Sequence, residues 1–451
     1  MAADRSALHR RRFLHRAGSR AAAAWFIPAT ALGGTVAVAP SERITLGFIG
    51  VGMMGRGHLR RFVGYGEAQV VAVCDVDRWR REDARKTVEA AYGDQDTRAG
   101  GRGCRAYRDL RQLLARDDID AVVIATGDRW HAVATALAAK AGKDIYCEKP
   151  ISLTVREARA MVEVVRRYER VFQTGLQQRS APQFIRACGL VRRGAIGKVQ
   201  VVYVAFPGTV GNVSLPSEPV PEGLDWELWL GPAPWRPYNH LFHPYGKPPR
   251  VVPWHFCRDF GGGNLTSNAV HAFDVVQWGL GTDASGPVEI IPPETGQVPD
   301  LTYRYANGVM LQVVNWHLDP AKHLVPPGWD VKTRIQNFGA LFVGQDGWIH
   351  VGRGGYLKCY PESMLREFAG AKDHLLSVHN HHQNWLHAIR TRQRPACDVA
   401  IGCQSTTVSH LGCIAHWTGR HLRWDPARET FPDDPDANRW LQRAMRPPWR
   451  L

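Results

Sequence analysis

The sequence predicts an α/β protein whose N-terminal half is a doubly wound parallel sheet. Two features carry that prediction. The short apolar run at 44–49 ends directly in the glycine turn Gly50-Val51-Gly52-Met53-Met54-Gly55, and apolar runs then alternate with helical periodicity as far as residue 175. A third feature, hairpin signals at Asn307-Gly308 and Gln345-Asp346-Gly347, predicts a second, strand-rich region after it. A chain of 451 residues that is 44% hydrophobic and 22% charged excludes disordered, collagen-like and coiled-coil classes and has room for more than one core.

The first strand, 44–49, feeds its glycine turn into an amphipathic stretch with Leu59, Phe62 and Val63. Gly50 suits the tight turn, Gly52 a close approach of backbone to a pyrophosphate, and Gly55 close packing of helix on strand. The second strand, 69–73, ends in Cys74-Asp75-Val76-Asp77, so that Asp75 stands 20 residues beyond Gly55. A carboxylate there accepts hydrogen bonds from an adenosine ribose and repels a 2′-phosphate, which favours NAD over NADP. Arg78 and Arg80 keep NADP as the lesser alternative. Runs at 119–126, 144–147 and 171–175 read as further strands, with helices at 130–140 and 155–167 between them. Their near-continuous apolar character predicts parallel strands covered on both faces. Ligands of such sheets bind beyond the strands' carboxyl ends. That rule collects Met53 and Met54 beside the turn, Thr126 and His131, Glu148 and Lys149, and Gln177 as candidate cofactor-binding residues with Gly50, Gly52, Gly55 and Asp75.

Residues 1–40 read as a targeting segment and not as fold. Arg10-Arg11-Arg12-Phe13-Leu14 resembles the twin-arginine pattern and precedes an apolar stretch at 21–28 and a small-residue run ending Ala37-Val38-Ala39. The expected location is therefore periplasmic or otherwise exported. This segment also holds Arg5, Arg16 and Arg20 against Asp4, so about a third of the formal charge of +15 resides there. The remainder calls for no nucleic-acid partner. No later run has the length of a membrane span. Nine cysteines without a CxxC pair, several inside apolar runs, predict buried thiols and neither a disulfide framework nor a zinc site.

In the second region, 198–206, 288–292, 301–316 and 339–351 have strand composition. Between 207 and 256, Trp226, Trp229, Trp235 and Trp254 crowd with proline and glycine, which predicts a long packed loop whose tryptophans anchor it or line a sugar site. Gly261-Gly262-Gly263 reads as a glycine-rich entry to a helix that puts Ser267, His271 and Asp274 on one face.

The glycine turn, Cys74-Asp75-Val76-Asp77, Glu148-Lys149-Pro150 and the triple glycine followed by His271 together resemble the Gfo/Idh/MocA oxidoreductases. The resemblance covers nearly the whole chain after residue 43. Gln177-Gln178-Arg179-Ser180, Gly281-Thr282-Asp283 and Arg423-Trp424-Asp425-Pro426 look like the exported branch abundant in planctomycete-type bacteria. It implies a Rossmann domain over 43–178 and a C-terminal domain over 179–451 with a large open, mostly antiparallel sheet that serves substrate binding and assembly into homo-oligomers. It also implies oxidation or reduction of a hydroxyl of a sugar, polyol or derivative with a nicotinamide cofactor. Lys149 inherits substrate-hydroxyl binding and proton movement, and His271 the role of the catalytic histidine. A neutral imidazole is a suitable base for a hydroxyl proton. Arg258, in Trp254-His255-Phe256-Cys257-Arg258-Asp259, is a candidate for a substrate oxygen or, alternatively, an ion pair with Asp259.

One position departs from the pattern. Ser267 stands where the dehydrogenases carry Asp, and a serine cannot supply the charge that raises a histidine's basicity. Asp259, Asp274 and Glu148 are the carboxylates open to substituting for it, although Asp274 reads first as structural. His379-Asn380-His381-His382 reads as a solvated helix entry and no metal site is expected. An exported enzyme cannot rely on cytoplasmic reoxidation of NADH, so its cofactor is expected to be tightly held. The reading is then an NAD(P)-dependent sugar or polyol oxidoreductase. The alternatives are a redox-neutral NAD-using glycosidase or lyase, and a non-catalytic sugar-binding relative.

Overall fold

The computed structural model describes residues 40–93, 103–249, 253–367 and 380–451. The expected targeting segment lies outside them, apart from residue 40. From Ile44 onward the chain forms one compact unit containing two sheets.

The first sheet has six strands, β1 (Ile44–Ile49), β2 (Ala68–Cys74), β3 (Arg105–Tyr107), β4 (Ala121–Ile124), β5 (Asp144–Cys147) and β6 (Phe172–Thr174). All pair in parallel, in the order β3-β2-β1-β4-β5-β6. The apolar runs explain the parallel pairing, since every residue of β4 is fully buried and only a sheet covered on both faces buries consecutive side chains. Ile49 lies opposite Cys74 on one side and Ile124 on the other. The winding reverses between β1 and β4, which opens a crevice above their carboxyl ends. Helices between strands start where the sequence supplies caps. The Asp77 side chain accepts from the Arg80 N–H and the Thr154 hydroxyl from the Glu157 N–H. Such caps stabilise a helix start by about 1 kcal/mol each.

The second sheet has eight strands: β7 (Val199–Val204), β8 (Pro287–Ile291), β9 (Leu301–Tyr305), β10 (Met310–Val313), β11 (Ala340–Gly344), β12 (Trp348–Val351), β13 (Leu357–Tyr360) and β14 (Leu422–Arg423). Their order is β13-β12-β11-β7-β10-β9-β8-β14, antiparallel throughout except for the central β7–β10 pair. Alternation in β7 divides its residues between two cores. Val202 and Val204 face the helices Ala269–Leu280 and Val399–Thr418 through Phe273, Val276, Leu411 and Ile414. Val201 and Tyr203 face a smaller cluster with Leu341, Trp329 and Trp348. Both hairpins form as expected, and the short strands β3, β13 and β14 are additional: unlike the equally short β5, which is buried throughout, they are partly exposed and form no apolar run.

Two expectations change. The helix after the triple glycine is broken at Asn268, giving Asn264–Ser267 and then Ala269–Leu280. Ser267 and Asp274 therefore do not share one continuous helical face. His381 and His382 are buried and not solvated. The Ser180 hydroxyl lies 2.8 Å from His381 Nδ1, His381 Nε2 donates to the Thr174 carbonyl at 2.8 Å, and His382 Nε2 lies 2.8 Å from His58 Nδ1. The nine cysteines are buried and free.

Candidate active site

A cleft of about 470 Å³ lies beyond the carboxyl ends of β1, β2, β4 and β5. At one end is the glycine turn. Gly50 sits at φ +85°, where a Cβ would fall 2.6 Å from the Ala125 carbonyl oxygen, and a Cβ on Gly55 would fall 2.0 Å from the Gly50 carbonyl oxygen. Both glycines are thus required by backbone contact. Gly52 is different: its nearest neighbour would be Arg80 Nη1 at 3.7 Å, so the fold tolerates a side chain there and the open space belongs to the cleft. Met53 and Met54 line the same end. Asp75 lines it too, with Oδ2 accepting from the Val51 N–H at 2.9 Å and Oδ1 from the Asp77 N–H at 3.0 Å. Each oxygen keeps a lone pair for a further donor. Arg80 is buried and committed, donating from Nε to the Gly246 carbonyl and from Nη2 to the Pro244 carbonyl. Arg78 reaches toward Glu222. The Thr126 hydroxyl, also in the cleft lining, is buried without a hydrogen-bond partner among the described residues. An open cradle at Gly52, a carboxylate at the second strand end and an orphaned hydroxyl fit a dinucleotide across the turn.

The other end gathers Glu148, Lys149, Gln177, Ser267 and His271. Lys149 Nζ donates to the Ser267 carbonyl at 2.6 Å. Burial lowers its pKa against the opposing pull of Glu148 and Asp128, so the ammonium gives up its proton more readily than an exposed lysine does. Burial would raise Glu148, but the His58 hydrogen bond, with Lys149 beyond it, brings it down to about 2. Its Oε1 accepts from His58 Nε2 at 2.9 Å and Gln177 Nε2 at 3.1 Å. His131 is a fixed neutral imidazole: it accepts the Gly127 N–H at Nε2, donates from Nδ1 to the Pro150 carbonyl at 2.7 Å, and burial lowers it to about 4. The Ser267 hydroxyl donates back to the Gly263 carbonyl at 2.7 Å and so is spent on its own helix.

The His271 tautomer follows from its neighbours. Arg353 can only donate, so the Gln178 carbonyl faces its Nε and Nη2, both at 3.0 Å, and the Gln178 amide nitrogen then donates to His271 Nδ1 at 2.9 Å. A neutral imidazole whose Nδ1 accepts carries its proton on Nε2. Burial, then Lys149 and Arg353, lower the His271 pKa well below the ordinary value, which keeps it neutral.

Three of the sequence candidates are held away from these groups. Asp259 pairs with Arg236 at 2.5 Å, and Asp274 is clamped by Arg179 and the Ser405 hydroxyl. Arg258 does not line the cleft; its guanidinium lies over the Trp440 ring at 4.8 Å. Gly55 supports the turn from beneath. Of the loop tryptophans, Trp226 and Trp229 stack at 4.4 Å as anchors, while Trp229 and Trp254 also wall the cleft. Site groups that local pattern does not single out are His58 on Glu148, Gln178 and Arg353 beside His271, and Asp128, first residue of the helix Asp128–Lys140. Its place at a strand end was legible, but its burial was not. No cluster able to hold a metal ion occurs among the described residues.

A model of an oxidoreductase family's NAD-binding Rossmann fold (GFO_IDH_MocA) matches residues 44–176, and that family's C-terminal alpha/beta domain matches 199–319 and 345–451. An inositol 2-dehydrogenase of Rhizobium meliloti is 32% identical over 161 residues, 36% of this chain and 44% of that protein. A glycosyl hydrolase family 109 protein of Shewanella pealeana is 29% identical over 206 residues, 43% of this chain and 44% of that protein. The chain thus spans about half the length of the curated relatives it matches. Among solved structures, the WlbA dehydrogenase of Bordetella pertussis in complex with NADH and UDP-GlcNAcA superposes with a TM-score of 0.56 at 18% identity, covering 85% of this chain and 99% of that one. An aldose-aldose oxidoreductase of Caulobacter crescentus gives 0.53 at 16% identity, covering 84% and 99%. These two likenesses establish the fold.

Proposed function

We propose that this chain, which belongs to the Gfo/Idh/MocA oxidoreductase family, oxidises or reduces a hydroxyl-bearing carbon of a sugar, polyol or sugar derivative with NAD. The observation that carries the reading is one continuous cleft, with the glycine turn and Asp75 at one end and Lys149 and His271 at the other. Bound in it, the nicotinamide supplies hydride transfer. The protein's own residues manage the protons. Lys149 Nζ, whose pKa burial lowers, is the group that exchanges the hydroxyl proton when the carbon is oxidised or reduced. His271 Nε2–H donates a hydrogen bond to the same oxygen, so the imidazole acts as donor and not as the base expected from sequence. NAD is favoured over NADP because Asp75 faces the cleft and Arg80 is fixed on backbone carbonyls.

The test is direct. Calorimetry with NAD and NADP should give heat with NAD in preference, and candidate polyols should then yield keto product with equimolar NADH. No heat with either dinucleotide ends this reading. The likeness to the family 109 glycosyl hydrolase supports a second reading, redox-neutral glycoside cleavage on bound NAD. It predicts cleaved sugar without net NADH.

The reading extends to location and assembly. Export by the twin-arginine route would require a cofactor that stays bound through turnover. Denaturing protein isolated from its native compartment should then release NAD, and an empty protein would remove retention from the proposal. The open eight-stranded sheet is the surface proposed for a homo-oligomer.

A further inference from the structure

Resting on the proposed function, we infer that the substrate is a sugar or polyol carrying an anionic group, a carboxylate or a phosphate, and that Arg353 and Arg334 receive that group beside His271. A second cavity of about 330 Å³ adjoins the reacting end of the cleft and shares Phe338 and Arg353 with it. Arg334, Gln336 and Asn337 also line it, so its wall holds two arginines and no acid. Neither arginine forms an ion pair among the described residues.

Both guanidiniums are held by aromatic faces. Arg353 lies 3.7 Å from the centroid of the Phe338 ring, and Arg334 lies 3.9 Å from that of Trp316. Phe206 joins the two rings, with centroids 4.9 Å from Trp316 and 4.8 Å from Phe338. Phe206, Trp316 and Phe338 stand on left-handed backbone, at φ 75°, 69° and 58°, which bulky residues adopt only where their surroundings impose it. The segment carrying Arg334 is tied down on both sides. The Ile335 N–H donates to the Trp316 carbonyl at 2.7 Å, and the Gln336 N–H donates to His350 Nε2, on β12, at 3.0 Å. Arg353, just beyond β12, spends Nε and Nη2 on the Gln178 carbonyl and keeps Nη1 for a further acceptor. The same Gln178 holds His271, whose ring lies 5.4 Å from that of Phe338, so the positive charge stands one residue from the reacting groups. A guanidinium fork matches the paired oxygens of a carboxylate or phosphate, and stacking on a ring orders the long side chain before the ligand arrives.

The test is calorimetry on the full protein, first with NAD alone and then with glucose, glucuronate and glucose 6-phosphate, followed by galactose, galacturonate and galactose 6-phosphate. In at least one set an anionic sugar should bind about ten-fold or more tighter than its neutral parent, the scale of a charge-assisted hydrogen bond, and lose that margin as salt rises. Whether the uronate or the phosphate gains the margin assigns the anion. Arg334 is exposed, so its substitution leaves the core untouched. In Arg334→Gln the margin should shrink, and in Arg334→Glu it should vanish or reverse. Equal affinity for neutral and anionic sugars, no binding of any of them, or a margin that survives Arg334→Glu overturns the proposal. An anionic preference without NAD binding removes the functional reading and leaves this site standing, whereas NAD binding without the preference does the opposite.

Discussion

The Gln178 amide nitrogen donates to His271 Nδ1 at 2.9 Å, with the amide's orientation set by Arg353 on its other side. Replacing that donor by an acceptor reverses the imidazole. In Gln178→Glu the carboxylate accepts from Nδ1–H and stabilises the imidazolium, so His271 should move its proton to Nδ1 and titrate higher. Nitrogen-15 NMR of the labelled ring reads both the tautomer and the midpoint; an unchanged Nε2–H signal disproves the relay.

Lys149→Met should reduce turnover by about 10² to 10⁴ fold, the range for loss of a positioned acid or base, while leaving dinucleotide affinity within a few fold. Single-turnover rates and NAD calorimetry on the same preparation separate the two. Equal losses in both would make Lys149 a cofactor anchor only.

Gly55→Ala places a methyl group 2.0 Å from the Gly50 carbonyl oxygen by ideal geometry, so the helix start must lift off the turn. Backbone leaves no flexible neighbour to yield, and overpacking of this kind costs about 1–3 kcal/mol. Urea unfolding should show that loss together with weakened NAD binding. Gly52→Ala is the contrast: it meets no fold atom within 3.7 Å, so it should keep stability and lose affinity.

The pH dependence of folding carries the signature of Asp128. An acid whose folded pKa is raised to about 7 binds its proton better folded than unfolded, so its contribution is complete below about pH 4 and declines as pH rises toward neutrality. The whole effect is at most about 4 kcal/mol. Asp128→Asn should therefore be more stable than wild type at pH 8, with the difference closing by pH 4 in denaturant titrations. A pH-independent difference would contradict a raised carboxyl.

Strand-to-glycine-turn spacing, the acid at the second strand end and the hairpin turns were legible in sequence because each depends on contacts within a short stretch of chain. Gly50, Gly55, Asp75 and Lys149 accordingly stand where their local patterns put them. What the tertiary structure decided was which polar groups meet across long separations. Asp274 turned to Arg179, Asp259 to Arg236 and Arg258 to the Trp440 ring, although their spacing suited the cleft equally well. Gln178 and Arg353 set the His271 proton from two distant segments, and Asp128 lost its water to a surrounding core. Burial and hydrogen-bond choice depend on the whole folded surround, and local pattern does not encode them.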